Sequence, residues 1–113
     1  MPHLIIEYVE HLADEEKLPA MIDAVHAAAK SSGLFDERDI KTRLIPLTHY
    51  RAGAAGESFI HVELRLLDGR NAAQKKQLAE GVLKAVLEQG WNPDQASVEI
   101  VDMERESYAK YWV

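Results

Sequence analysis

Apolar positions recur along the chain with two different periods, and the switches between them outline a fold. The run His3-Leu4-Ile5-Ile6-Glu7-Tyr8-Val9 is short and rich in β-branched residues, which predicts a strand largely buried on both faces. From Glu15 to Ser32 the spacing lengthens. Leu18, Met21, Ile22 and Val25 fall at i, i+3, i+4 and i+7, and Ala28 and Ala29 continue the stripe, as in an amphipathic helix. Asp14, Glu15 and Glu16 suit the positive end of that helix, Pro19 is tolerated only in its first turn, and Gly33 supplies the stop. Ile40 to Ile45 alternates and precedes Pro46, which predicts a second strand with Lys41 and Arg43 on one face.

After a small-residue loop from Arg51 to Glu57 the pattern repeats. Ser58 to Leu67 places Ile60, Val62, Leu64 and Leu66 on one strand face and His61, Glu63 and Arg65 on the other. Asp68-Gly69-Arg70 turns the chain, and Asn71 and Gln74 have the spacing of a capping box. Leu78, Val82, Leu83 and Val86 then form a second helical stripe that ends before Gly90. Beyond the break at Asn92-Pro93, Ser97 to Val101 reads as a fourth strand. The expected fold is α+β, with two β-α-β units forming a four-stranded sheet covered on one face by two helices. The other face carries Ile5, Ile45 and Val101, so it is expected to present apolar groups and to meet other subunits. The tail from Tyr108 to Val113 is expected to dock, with a neighbouring subunit among the surfaces open to it and Tyr111 and Trp112 as interface anchors.

Composition excludes several functions. With 47% apolar and 28% charged side chains, residues 1–113 are expected to form a single domain. Nineteen acidic against thirteen basic side chains leave a formal charge of −6, a field that repels phosphate backbones and anionic lipid. Nucleic acid and membrane are therefore not expected partners, and an anionic substrate needs local cations. The lack of cysteine removes disulfides, a thiolate nucleophile and cysteine-based zinc sites, and no histidine pair has zinc spacing. No apolar run approaches the ~18 residues of a membrane helix, and the start of the chain has no basic n-region. The expected location is cytoplasmic.

Pro2 opens the first strand, where a residue without an N–H is tolerated. Removal of Met1 would make it a secondary amine at the chain terminus. Ordinary α-amino groups titrate at about 7.7–8.0, and burial near Lys41, Arg43 or Arg70 would favour the neutral, basic form. Such a group moves protons at neutral pH.

The ordered set Pro2-His3-Leu4-Ile5-Ile6-Glu7, Ile40-Lys41-Thr42-Arg43, Phe59-Ile60-His61-Val62 and Gly69-Arg70 resembles the tautomerase superfamily. Within it, the 5-carboxymethyl-2-hydroxymuconate isomerase branch is the nearest match, from Pro2 to about Val101, with Leu18-Pro19 and Gly33-Leu34-Phe35 included. The resemblance implies a homotrimer of double β-α-β subunits whose sheets face an inner barrel, with an N-terminal proline at each site. It implies an enzyme that ketonises a small anionic substrate, an unsaturated 2-hydroxy di- or tricarboxylate of aromatic-compound catabolism. Pro2 would carry the proton, with no metal or organic cofactor.

Arg70 matches the branch's substrate-binding arginine, and at a helix N-terminus its guanidinium fork joins free backbone N–H groups as a carboxylate receptor. Lys41 stands where the branch has its other catalytic-site arginine and offers charge without a fork. Arg43 matches a neighbouring arginine and is a further candidate for substrate binding. The alternatives the resemblance leaves open are phenylpyruvate tautomerase, haloacrylate dehalogenase and a noncatalytic trimeric binding protein. Asn71-Ala72-Ala73-Gln74 argues against the dehalogenase, which tends to carry a second arginine one helical turn on.

Overall fold

In a computed structural model, which describes residues 1–113, the elements follow the sequence pattern in order. They are β1 His3–Val9, α1 Leu18–Ser31, β2 Lys41–Leu47, β3 Phe59–Leu67, α2 Ala72–Glu88 and β4 Gln95–Met103. The differences lie at the ends. Helix α1 starts at Leu18 because Glu15–Lys17 form a separate 3₁₀ turn before it, with Pro19 in the first turn of the α-helix. Strand β2 runs through Pro46 because it is an edge strand, where one side of the backbone needs no partner. Strand β4 exceeds Ser97–Val101 at both ends because it pairs with β3 along its whole length, from Phe59↔Gln95 to Leu67↔Met103.

The sheet order is β2-β1-β3-β4. Each β-α-β unit joins two parallel strands, and the units meet through the antiparallel pair β1/β3. Leu4, Ile6 and Tyr8 of β1 and Ile60, Val62, Leu64 and Leu66 of β3 form the buried face. Met21, Val25 and Ala29 of α1 and Leu78, Val82 and Val86 of α2 close over it. Strand β1 is therefore fully buried on one face only, and His3, Ile5 and Glu7 on the other are half-buried. No helix is long and apolar enough to cross a membrane.

The outer sheet face carries the expected apolar groups, interleaved with charge. Ile5 and Val101 are half-buried there and Ile45 is 40% exposed, but the same parity brings charged neighbours among them. Arg65 Nη1 donates to Glu63 Oε1 at 2.7 Å, and His61 lies between Ser97 Oγ, 2.7 Å away, and the Glu99 carboxylate. The tail docks as expected, and within the single chain the surface it meets is its own. Lys110 Nζ donates to the Asp39 carboxylate, and the Trp112 ring lies 3.6 Å from Arg38 Cζ. Tyr111 faces solvent.

Candidate active site

Topology brings distant parts of the chain to one end of the sheet. Because β1 and β3 run antiparallel, with His3 opposite Arg65, the start of β1 lies beside the turn that follows β3. Parallel pairing puts the start of β2 next to His3, and the end of β4 beside the end of β3. The chain's first residue, the 36–39 loop, the Gly69-Arg70 turn and the C-terminal tail converge there on a cleft of ≈ 600 Å³. Met1, Phe35, Asp39, Arg70, Tyr108 and Lys110 are among its lining residues.

Pro2 is buried, and its carbonyl accepts the Lys41 backbone N–H at 3.0 Å. The Met1 amine donates to the Asp39 carbonyl at 3.1 Å and lies 3.9 Å from Asp39 Oδ1. Burial pushes this amine down from 8.0 to about 6, helped by a hydrogen bond from Lys41 and the charges of Lys41 and Lys110, while Asp39 works the other way. Lys41 Nζ itself donates to the Asp39 carbonyl at 2.6 Å. With Met1 in place the Pro2 nitrogen is an amide and has no basic lone pair.

Arg70 sits just before α2, whose start is fixed by a complete capping box. Asn71 Oδ1 accepts from the Gln74 backbone N–H at 2.8 Å, and Gln74 Oε1 accepts from the Asn71 backbone N–H at 3.0 Å. Gly69, at φ +120°, lets the chain turn from β3 into that position. The half-buried guanidinium donates to the carbonyls of Leu67 at 3.2 Å and Leu34 at 2.8 Å, and it lies 5.3 Å from the Phe35 ring. An arginine has five N–H groups, so these two bonds position it while leaving donors free. Its partners are neutral, and its charge is uncompensated by any carboxylate. Arg105 differs, since Nη2 donates to the Asp68 carbonyl at 2.8 Å and Nε lies 3.6 Å from Asp68 Oδ1.

Arg43, expected to bind substrate, does not line the cleft. It pairs with Ile5 in the register and therefore sits on the sheet face away from the helices, where Nη1 is 3.3 Å from His3 Nδ1. Arginine only donates, so Nδ1 is the acceptor. Burial, then Arg43 and Lys41, push the His3 pKa down, which leaves the ring neutral with its proton on Nε2. That N–H donates to Tyr108 Oη at 3.3 Å and leaves the phenol proton free to turn toward the cleft. Arg43 thus reaches the site at one remove, through His3 and Tyr108.

Of the residues singled out in the sequence, Arg70 lines the cleft, whereas Pro2 and Lys41, joined by the Pro2 carbonyl and the Lys41 N–H, lie behind Met1 and are not lining residues. Sequence reasoning did not find Asp39, Arg105, Tyr108 or Lys110. The available signal was the mixture of basic and aromatic residues in the tail. No group of three or more histidine or acidic side chains is gathered to hold a metal.

The same fold recurs in solved structures. A fused 4-OT, a wild-type symmetric trimer, matches with a TM-score of 0.84 at 18% identity, over 96% of this chain and 90% of that one. A 5-carboxymethyl-2-hydroxymuconate isomerase from Deinococcus radiodurans R1 gives 0.83 at 19% identity, over 97% and 88%. N1, a member of the cis-3-chloroacrylic acid dehalogenase family, gives 0.78 at 18%, over 96% and 80%. The fold is that of the tautomerase superfamily, two β-α-β units in one four-stranded sheet. The family model for 5-carboxymethyl-2-hydroxymuconate isomerase matches residues 2–101, and the chain belongs to that isomerase family. No curated protein matches its sequence.

Proposed function

We propose that the cleft ketonises an unsaturated 2-hydroxy di- or tricarboxylate of the 5-carboxymethyl-2-hydroxymuconate type, with Pro2 as acid and base once Met1 is removed. The observation that carries this reading is the convergence of the chain's first residue and Arg70 in one cleft. Loss of Met1 leaves a secondary amine beside the same Lys41 that disfavours a charged amine at the terminus. The proline lone pair takes the proton of the substrate's 2-hydroxyl. The oxygen electrons form the carbonyl as the conjugated double bonds shift, and the pyrrolidinium returns a proton to the distal carbon. No atom is gained or lost, as an isomerisation requires.

In this proposal Arg70 receives a substrate carboxylate with its remaining N–H groups, and Lys41 keeps the amine neutral and adds positive charge. Arg43 is a positioning residue that orients Tyr108 through His3. We place the activity in a homotrimer of single-domain chains, following the assembly of the fused 4-OT, and in cytoplasmic catabolism of aromatic compounds. A dehalogenase is less well supported, because Asn71 and Gln74 bind each other in the capping box where a second arginine would be wanted.

Intact mass together with the ultraviolet decay of a 2-hydroxymuconate dienol tests the reading. The expected result is a mass lacking one methionine and a decay that Pro2→Ala slows by ~10²–10⁴-fold. Processed protein that leaves the dienol untouched, or a Pro2→Ala variant at the wild-type rate, would overturn it.

A further inference from the structure

Residues 102–113 lie beyond the span that the family model matches, yet Arg105, Tyr108 and Lys110 supply part of the cleft wall. Lys110 is fixed from both sides. Two residues before it, Tyr108 Oη meets His3 at 3.3 Å, and two residues after it the Trp112 ring lies 3.6 Å from Arg38 Cζ and 3.9 Å from Lys110 Nζ itself. The ammonium also donates to Asp39, whose side chain is 24% exposed.

Three features distinguish Lys110 from the other cations at the site. An ammonium has three donors, and the bond to Asp39 uses one of them. A single bond to a partly exposed carboxylate is worth little, and a flexible four-carbon stem can redirect it. Arg105 is instead held against Asp68 by a hydrogen bond to its carbonyl and an ion pair with its carboxylate, which compensates its charge, and Lys41 is not a lining residue. Arg70 lacks a carboxylate partner and is the first landing point for an anion. Lys110 is the cation that can turn to a second one.

We infer that Lys110 is a specificity-determining residue, receiving the second carboxylate of a ligand whose first carboxylate sits on Arg70, so that the cleft selects dianions over monoanions. This rests on reading the cleft as the substrate site, but it does not depend on Pro2 acting as the base. At ≈ 600 Å³ the cleft lies within the ordinary 300–1,000 Å³ range of small-ligand sites, which accommodates a six-carbon diacid.

Adipate and hexanoate share a six-carbon chain and differ by one carboxylate, and calorimetric titration of both at low salt tests the inference. Wild-type protein is expected to prefer adipate by ~tenfold or more, the scale of one charged hydrogen bond. Lys110→Gln is expected to reduce the ratio to about the twofold that two equivalent carboxylates give statistically, and Lys110→Arg to keep most of it. Lys84→Gln, an exposed change on α2, retains the wild-type ratio and controls for net charge. Equal affinities in the wild type overturn the inference. So does an unchanged ratio in Lys110→Gln accompanied by a lower melting temperature, since the Asp39 contact would then only pin the tail. Failure of ketonisation leaves this ratio where it is and counts against the Pro2 reading alone.

Discussion

Burial and two lysines act on the terminal amine in the same direction, and Asp39 opposes them. A base whose folded pKa lies below its unfolded value binds fewer protons folded than unfolded between the two. In protein that retains Met1, this group therefore adds stability as pH rises from about 6 toward 8, and the urea midpoint should increase across that window. In processed protein the acid limb of kcat/KM is expected below the 7.7–8.0 of an ordinary α-amine. Lys41→Ala should move that limb upward, because removing a neighbouring positive charge makes protonation easier. A limb that stays in place would show that Lys41 does not set the basicity of Pro2. In the proposed reaction Arg70 binds a carboxylate through its fork. Arg70→Lys keeps the charge but cannot reproduce the paired N–H groups, so KM for the dienol should rise by about tenfold or more in steady-state assays.

Arg70 lies immediately before the Asn71 cap of α2, and the capping box fixes the start of that helix. Asn71→Ala removes the side-chain acceptor for the Gln74 N–H and should cost about 1 kcal/mol in urea unfolding. The same variant should raise KM, since Arg70 is the residue immediately before the cap. Unchanged KM with lowered stability would separate the cap from the site. This box was legible from Asn71 and Gln74 alone, as were both helices and the succession of four strands along the chain, because period and capping are local properties. The ends of β2 and β4 were not. Pro46 continues a strand only because β2 lies at an edge, and Gln95 and Ala96 join β4 only because β3 pairs with them. The site divides along the same line. Pro2 and Arg70 sit at element junctions with their own local signals, whereas Asp39, Tyr108 and Lys110 enter through strand directions that bring the 36–39 loop and the tail to the start of β1. Parity placed Arg43 on the correct face of β2, but could not show that His3 intercepts it.

At the scale of the whole molecule, the outer sheet face must reconcile apolar groups with ordered charges. Ile5 and Val101 suit a subunit contact, while the Glu63–Arg65 and His61–Glu99 pairs would have to remain satisfied within it. Arg65→Glu replaces an attraction to Glu63 by a repulsion, so if the proposed trimer closes through this face, sedimentation should shift from trimer toward monomer. A trimer that survives this change intact would place the contact elsewhere. The meeting of the chain's two ends also has a practical consequence. Met1 and Lys110 line one cleft, so an affinity tag placed ahead of Pro2 both fills the site and keeps the proline nitrogen acylated. A tag after fully exposed Val113 starts three residues from Lys110 and risks pulling on the tail. The exposed Gly53–Gly56 loop follows β2 at the opposite end of the sheet, which makes it the sounder place for a purification handle or fluorophore.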